Sequence, residues 1–102
     1  MQFMESVEQI KMLCKVLKSD HRISTTHVSL YMALFFLWSL KHYQNPVPIT
    51  RSEIMQLSKI GGKATYHKCI KELQEYGYIQ YHPSFHPAFG SLVYINIFIH
   101  DN

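Results

Sequence analysis

A chain of 102 residues and 12.0 kDa has room for one hydrophobic core; a domain of this length buries about two-thirds of the surface its unfolded form exposes, and a second domain does not fit. Apolar residues at 47%, charged residues at 17%, four Gly and four Pro describe an ordinary folded domain and exclude disorder, collagen-like repeats and a disulfide-stapled secreted scaffold. Ten Lys and Arg against seven Asp and Glu leave a net charge of +3, compatible with an anionic partner but too small to require one, so the placement of the charges matters more than their sum.

Cys14 and Cys69 share no CxxC spacing, which gives no support to a zinc ribbon or a thioredoxin-type motif and makes a reducing, cytoplasmic setting the expectation. The longest apolar run, Val28 to Leu40, is 13 residues, where a bilayer span needs about 20; no membrane anchor is expected. Residues 1–27 carry Glu5, Glu8 and Asp20 and no small-residue cleavage site after a short apolar stretch, so no signal peptide is expected either.

In chain order, Phe3, Val7, Ile10, Cys14 and Leu17 recur in steps of four and three, an apolar stripe along an N-terminal helix over residues 1–20. That spacing serves packing on the protein's own core and a short dimer seam, and both stay open. Ser24, Thr25 and Thr26 offer hydroxyls to cap a second helix, His27 to Tyr43, which is apolar almost all round through Leu30, Leu34, Phe35, Leu37, Trp38 and Leu40 and is expected to be the most buried. The prolines of Asn45-Pro46-Val47-Pro48-Ile49 stop it and leave a short extended segment, Val47 to Ile49.

Thr50 with Glu53 three residues on is a capping box, opening a helix of about nine residues that ends near Ser58 or Lys59, with Ile54 and Leu57 facing inward. Gly61 and Gly62 form the stop, one of them expected at positive φ. On a helical wheel the next segment, Lys63 to Tyr76, gathers Tyr66, Cys69, Ile70, Leu73 and Tyr76 on one side and Lys63, Ala64, His67, Lys68 and Lys71 on the other. Gly77 closes it. Tyr78 to His82 and Ser91 to Ile99, rich in β-branched and aromatic residues, read as two antiparallel strands joined by the loop Pro83 to Gly90. The class expected is mainly α with a small β-hairpin.

Three helices with a tight turn between the last two, then a hairpin, make the order of a winged helix with an extra N-terminal helix. Residues 51–73 with Tyr76-Gly77-Tyr78-Ile79, above all Lys63-Ala64-Thr65-Tyr66-His67-Lys68-Cys69-Ile70-Lys71-Glu72-Leu73, resemble winged helix-turn-helix DNA-binding proteins, and in particular short regulators carried on mobile elements of Bacteroidetes-type bacteria. Those usually carry Ser where this chain has Gly62, which here removes a helix cap. The resemblance covers residues 24–99. It implies double-stranded DNA as partner, transcriptional regulation as role, Lys63 to Tyr76 as the helix that enters the major groove, and Pro83 to Gly90 as the wing. A homodimer, through the first helix or the C-terminal strand, is expected because a heptad-like stripe on a terminal helix pairs readily and two half-sites raise affinity through effective concentration.

From Lys59 to Lys71 there are four lysines and no acid, a concentration of charge suited to phosphate. Gly62, Lys63, Ala64 and Thr65 supply the small and polar residues a helix start needs beside base edges, and Lys59, His67, Lys68 and Lys71 the flanking donors. In the wing, which lacks Arg and Lys, His82, Ser84, His86 and Ser91 are the candidate donors, with Phe85 and Phe89 as anchors of the loop. The bland alternative is a solvated lysine face. His82-x-x-x-His86 has a metal-compatible spacing, but no second Cys or carboxylate pair lies near it in sequence, so no metal is expected.

Gly62-Lys63 lacks the earlier glycine and the following Ser/Thr of a phosphate loop, and no Gly-x-Ser-x-Gly or His-Glu-x-x-His occurs; neither an enzyme nor a cofactor is expected, and no small-molecule ligand is evident. Two functions compete: a sequence-specific DNA-binding regulator, and a protein-interaction module of the same fold whose aromatic surface recruits a replication or conjugation partner.

Overall fold

The computed structural model describes residues 3–84 and 90–96. Along them run α1 (Phe3–Ser19), α2 (Thr25–Leu40), β1 (Val47–Ile49), α3 (Arg51–Ser58), α4 (Lys63–Glu75), β2 (Ile79–His82) and β3 (Ser91–Ile95). The described residues are thus mainly helical, with one three-stranded antiparallel sheet in the order β1-β3-β2. Loop residues 85–89, with Phe85, His86 and Phe89, and the expected strand residues 97–99 lie outside the described residues. Among the described residues, no helix is long and apolar enough to cross a membrane.

Ser24 starts α2: its hydroxyl accepts from the His27 N–H, and the His27 side chain accepts from the Ser24 N–H, so two first-turn donors are satisfied reciprocally. The helix ends at Leu40, short of the expected Tyr43. The prolines are not the stop; His42 and Tyr43 both take left-handed backbone, with φ of 56° and 60°. Tyr43 is thereby turned back to donate its N–H to the Trp38 carbonyl, 2.9 Å away, and its ring meets Trp38 edge-on at 5.0 Å.

Leu30, Tyr31, Leu34 and Trp38 are 1% exposed or less and form the centre of the core with Ile54, Tyr66, Leu73, Tyr78, Ile79, Val93 and Ile95. Full burial of each such aliphatic side chain contributes about 1.5–3 kcal/mol. As expected, α2 carries more buried residues than any other described helix, yet Met32, Phe36 and Leu40 are exposed. They lie four residues apart, one stripe of the helix that no described element covers.

The stripe expected on α1 is corrected as well. Leu13 is the buried residue, Val16 and Leu17 pack against the core beside it, and Ile10 and Cys14 are exposed. Val7 is half-buried, and the Phe3 side chain lies outside what is described. The inward face of α1 therefore sits roughly a quarter-turn round from the four-and-three stripe. At its end Asp20 accepts from Arg22 Nε and Nη2 at 2.9 and 2.8 Å and from the Tyr78 hydroxyl at 2.9 Å, while the Arg22 guanidinium lies 4.4 Å over the Tyr76 ring. These contacts fasten the end of α1 to the chain that follows α4.

Asn45 extends the β1 ladder by side chain. β1 and β3 pair Val47 with Val93, and two positions further along that register the Asn45 amide gives Nδ2–H to the Ile95 carbonyl and takes the Ile95 N–H on Oδ1, both at 2.9 Å. An edge that would otherwise leave buried backbone groups unpaired is closed by one amide.

In α3, Thr50 caps the helix by accepting from the Glu53 N–H; this is one half of the expected capping box, and the return bond from the Thr50 N–H to the Glu53 carboxylate is not found among the described residues. Leu57 does not face inward; it is 44% exposed, and its neighbour Ser58 is buried. The turn that follows differs from expectation too, since Lys59 rather than a glycine takes the left-handed position, at φ 64°. Gly62 has extended backbone at φ −106°.

Gly77 is required, at φ 88°. Its N–H reaches the Gln74 carbonyl and the Tyr78 N–H reaches the Leu73 carbonyl, the paired bonds of a Schellman stop. Gly90 is required for a second reason: besides φ 65°, a Cβ there would stand 2.6 Å from the Ile49 carbonyl oxygen. Gly90→Ala is therefore expected to be the costliest of the glycine-to-alanine changes, by more than the ~1–2 kcal/mol of left-handed backbone alone, because β1 must also move. Gly61→Ala, with no atom within 4 Å, is expected to change stability by less than about 0.5 kcal/mol. Chemical denaturation of the two variants checks the order.

Asp20 generates a pH prediction. The Arg22 side chain, with the Arg22 N–H and the Tyr78 hydroxyl, holds its carboxyl well below the usual carboxylate range. A depressed folded-state value stabilises the fold above the unfolded value of about 3.9 and loses that contribution as pH falls toward the folded one. Asp20→Asn is expected to lower the melting temperature at pH 7, by a gap that narrows steadily below about pH 4. An equal gap at pH 7 and pH 2.5 would contradict the assignment.

Candidate nucleic-acid interface

Along α4 the two faces separate as the wheel requires. Tyr66, Cys69, Ile70 and Leu73 are buried, and burial pushes the Tyr66 phenol up to about 12. Tyr76, expected on the same face, is half-buried. Lys63, Ala64, His67, Lys68 and Lys71 are all exposed, as are Lys59, Gly62 and Thr65 at the helix start. None of the four lysines makes an ion pair among the described residues. Their charge is uncompensated there.

Gly62 is the N-cap of α4 and provides no side-chain acceptor. The N–H groups of Lys63, Ala64 and Thr65 consequently have no partner among the described residues, the first regular bond being from Tyr66 to the Gly62 carbonyl. A helix start of this kind carries about half a positive charge and donors pointed along the axis.

A clamp holds α4 against α2. His27, 5% exposed, takes the Ser24 N–H on Nδ1 at 2.9 Å and stands with Nε2 2.8 Å from Glu72 Oε1. With Nδ1 accepting, Nε2 carries the proton and donates it to the carboxylate, so one neutral tautomer satisfies both contacts. Cys69 Sγ joins them, the three ligating atoms lying within 4.8 Å of one another. Both imidazole nitrogens are committed to protein partners, and burial pushes the Cys69 thiol up, toward its protonated form; the geometry serves a hydrogen-bonded joint between helices. The sequence marks His27 only as a helix start and gives no sign of this joint, since the partner lies 45 positions away.

The remaining candidates fall in two places. Lys59, Gly62 and Thr65 share a cleft with Thr25, Thr26 and Ser29 at the start of α2. His82 and Ser84 lie together, exposed, in a hollow at the base of the loop with Pro83, Gly90 and Leu92, the His82 ring resting edge-on 5.3 Å from Tyr94. His86 lies outside the described residues. The threonines of the α2 start read as caps alone in the sequence; nothing in their local pattern signals that the α3–α4 turn folds back onto them.

No protein-family model, curated protein or solved structure matches the chain.

Proposed function

We propose that this protein binds double-stranded DNA as a winged-helix protein, in the role of a small bacterial transcriptional regulator in the cytoplasm, through the exposed face of α4. The observation that carries the reading is an uncapped helix start followed by Lys63, Lys68 and Lys71, exposed and without ion-pair partners among the described residues, on a helix whose other face is locked into the core. Support for the winged-helix reading comes from the order α2, β1, α3, α4, β2, β3 with β3 central in the sheet. A DNA-reading helix needs this division: an anchored back, a first turn narrow enough to approach base edges, and cations placed for phosphates on either side.

In this reading Lys68 and Lys71 bind phosphate, whereas Lys63, Ala64 and Thr65 at the helix start meet base edges. Lys68→Ala with Lys71→Ala is expected to leave circular dichroism and melting unchanged, weaken binding to every duplex, and flatten log affinity against log salt by about 0.9 for each phosphate no longer bound. Lys63→Ala and Thr65→Ala are expected to change which sequence is preferred, at about 1–3 kcal/mol for a good base contact. Selection from a random duplex pool reads both. A Lys63, Lys68, Lys71 triple alanine variant that binds like wild type, with its fold intact, would transfer the function to the protein-interaction module, which the exposed Met32, Phe36 and Leu40 favour.

The same exposed stripe, with Ile10 beside it in a shallow groove, supports a homodimer, since two linked half-sites raise affinity through effective concentration. Sedimentation is expected to give a dimer that Phe36→Glu converts to a monomer. A strict monomer at roughly 100 µM, well above the Kd of a functional pair, overturns it.

A further inference from the structure

We propose that DNA binding by the α4 face is proton-linked through His67, which gains a proton as the duplex docks, so that acid strengthens binding. This rests on the DNA-binding reading and adds a regulation of that surface. His67 stands in the middle of the exposed face of α4, with Lys63 four residues before it and Lys71 four residues after. Residues at that spacing project from successive turns as one strip, and Lys68 lies beside it. A duplex engaged by Lys63 and Lys71 therefore spans the imidazole between them.

The surroundings leave the imidazole open to a ligand. His67 is exposed, and neither ring nitrogen has a hydrogen-bond or ion-pair partner among the described residues. Its ring rests edge-on against Tyr66, with 5.2 Å between centroids, and Tyr66 is 1% exposed, so the imidazole sits on a fixed base. The groups that bear on this place are cations or neutral phenols. On α4 they are Lys63, Lys68 and Lys71; from the neighbouring elements Arg51 of α3 and Tyr81 of β2 act on the Tyr66 phenol. Glu72, the acid nearest in sequence, is spent on His27. Glu75 lies eight residues further along the helix, about 12 Å of axial rise. Among the described residues no carboxylate pairs with His67, so its counter-charge has to come from the ligand. Imidazole is the side chain whose charge changes between about pH 5 and pH 8, and a phosphate laid over the strip favours the protonated form, which donates a charge-assisted hydrogen bond. Linkage is reciprocal: a ligand that favours the protonated form draws a proton from solution, and acid then favours the ligand.

The test measures affinity for mixed-sequence duplex against salt at about pH 8 and about pH 5.5, the ends of the imidazole range, with circular dichroism confirming the fold at both. Wild type is expected to gain about three- to fivefold in affinity at fixed salt, the scale of one exposed charge pair. Its salt slope is expected to steepen by about 0.9 in acid, for one more phosphate neutralised. His67→Gln is expected to lose both changes, and His67→Lys, charged throughout, to show the steeper slope at both pH values. His27 and His82 are present in every variant, so a difference between variants belongs to residue 67; a merely structural role would not make the slope follow the charge. A wild type that binds duplex with the same slope at both pH values, or a His67→Gln protein that steepens as wild type does, overturns the linkage and leaves the DNA reading standing. Absence of duplex binding at both pH values overturns that reading and the linkage with it.

Discussion

The packing of α2 is the constraint from which the other placements follow. A helix carrying Leu30, Tyr31, Leu34, Phe35 and Trp38 cannot stand in water, and among the described residues its covers are α3 and α4 on one flank, β3 on another and part of α1. Each of these elements lends its apolar side: Ile54 from α3, Tyr66, Ile70 and Leu73 from α4, Val93 and Ile95 from the sheet. The cover stops there. The stripe Met32, Phe36 and Leu40 stays in water because α1, held through Leu13 and the Asp20–Tyr78 contact, leaves that side of α2 open.

Because α2 fixes one face of α4, the opposite face is fixed without any contact of its own. The His27–Glu72 bond sets how α4 lies along α2, and the Schellman stop at Gly77 sets where the helix gives way to β2. An amide ladder and a buried imidazole are both intolerant of small displacements, since a broken pairing leaves a buried donor or acceptor unsatisfied at about 1–3 kcal/mol. A helix pinned in this manner presents its outer side chains from a rigid base, which reduces the ordering cost that any ligand must meet.

Much of this is legible in the sequence, and the misses share a physical cause. The α4 wheel holds, because a helix with one apolar and one charged face reports its orientation through composition alone. On α2 the same method fails: a helix apolar on every side gives no phase, and only tertiary cover decides that Leu34 goes in and Phe36 stays out. On α1 the four-and-three spacing points a quarter-turn away from Leu13, since a stripe of apolar residues states that a face exists without stating which neighbour fills it. At the turn, propensity misleads. Two adjacent glycines suggest the left-handed position, yet the chain places it at Lys59, where the residues that follow can then extend toward the start of α4. Long-range polar pairs, Asn45 with Ile95, His27 with Glu72 and Tyr78 with Asp20, leave no local trace at all.

Separating the residues that hold α4 from those it exposes has a consequence for how this surface can change. The side chains of Lys63, Lys68 and Lys71 hold nothing in the core, so these positions are free to vary at constant stability. That independence ends at the helix start. Lys59 is both the left-handed hinge of the turn and a positive wall of the cleft; Gly62 is both the N-cap and the reason three amides remain unpartnered. A Ser or Asp at residue 62 would cap α4 at a gain of only about a few tenths of a kcal/mol over glycine, and its side chain would take up one of the amide donors that Gly62 leaves open.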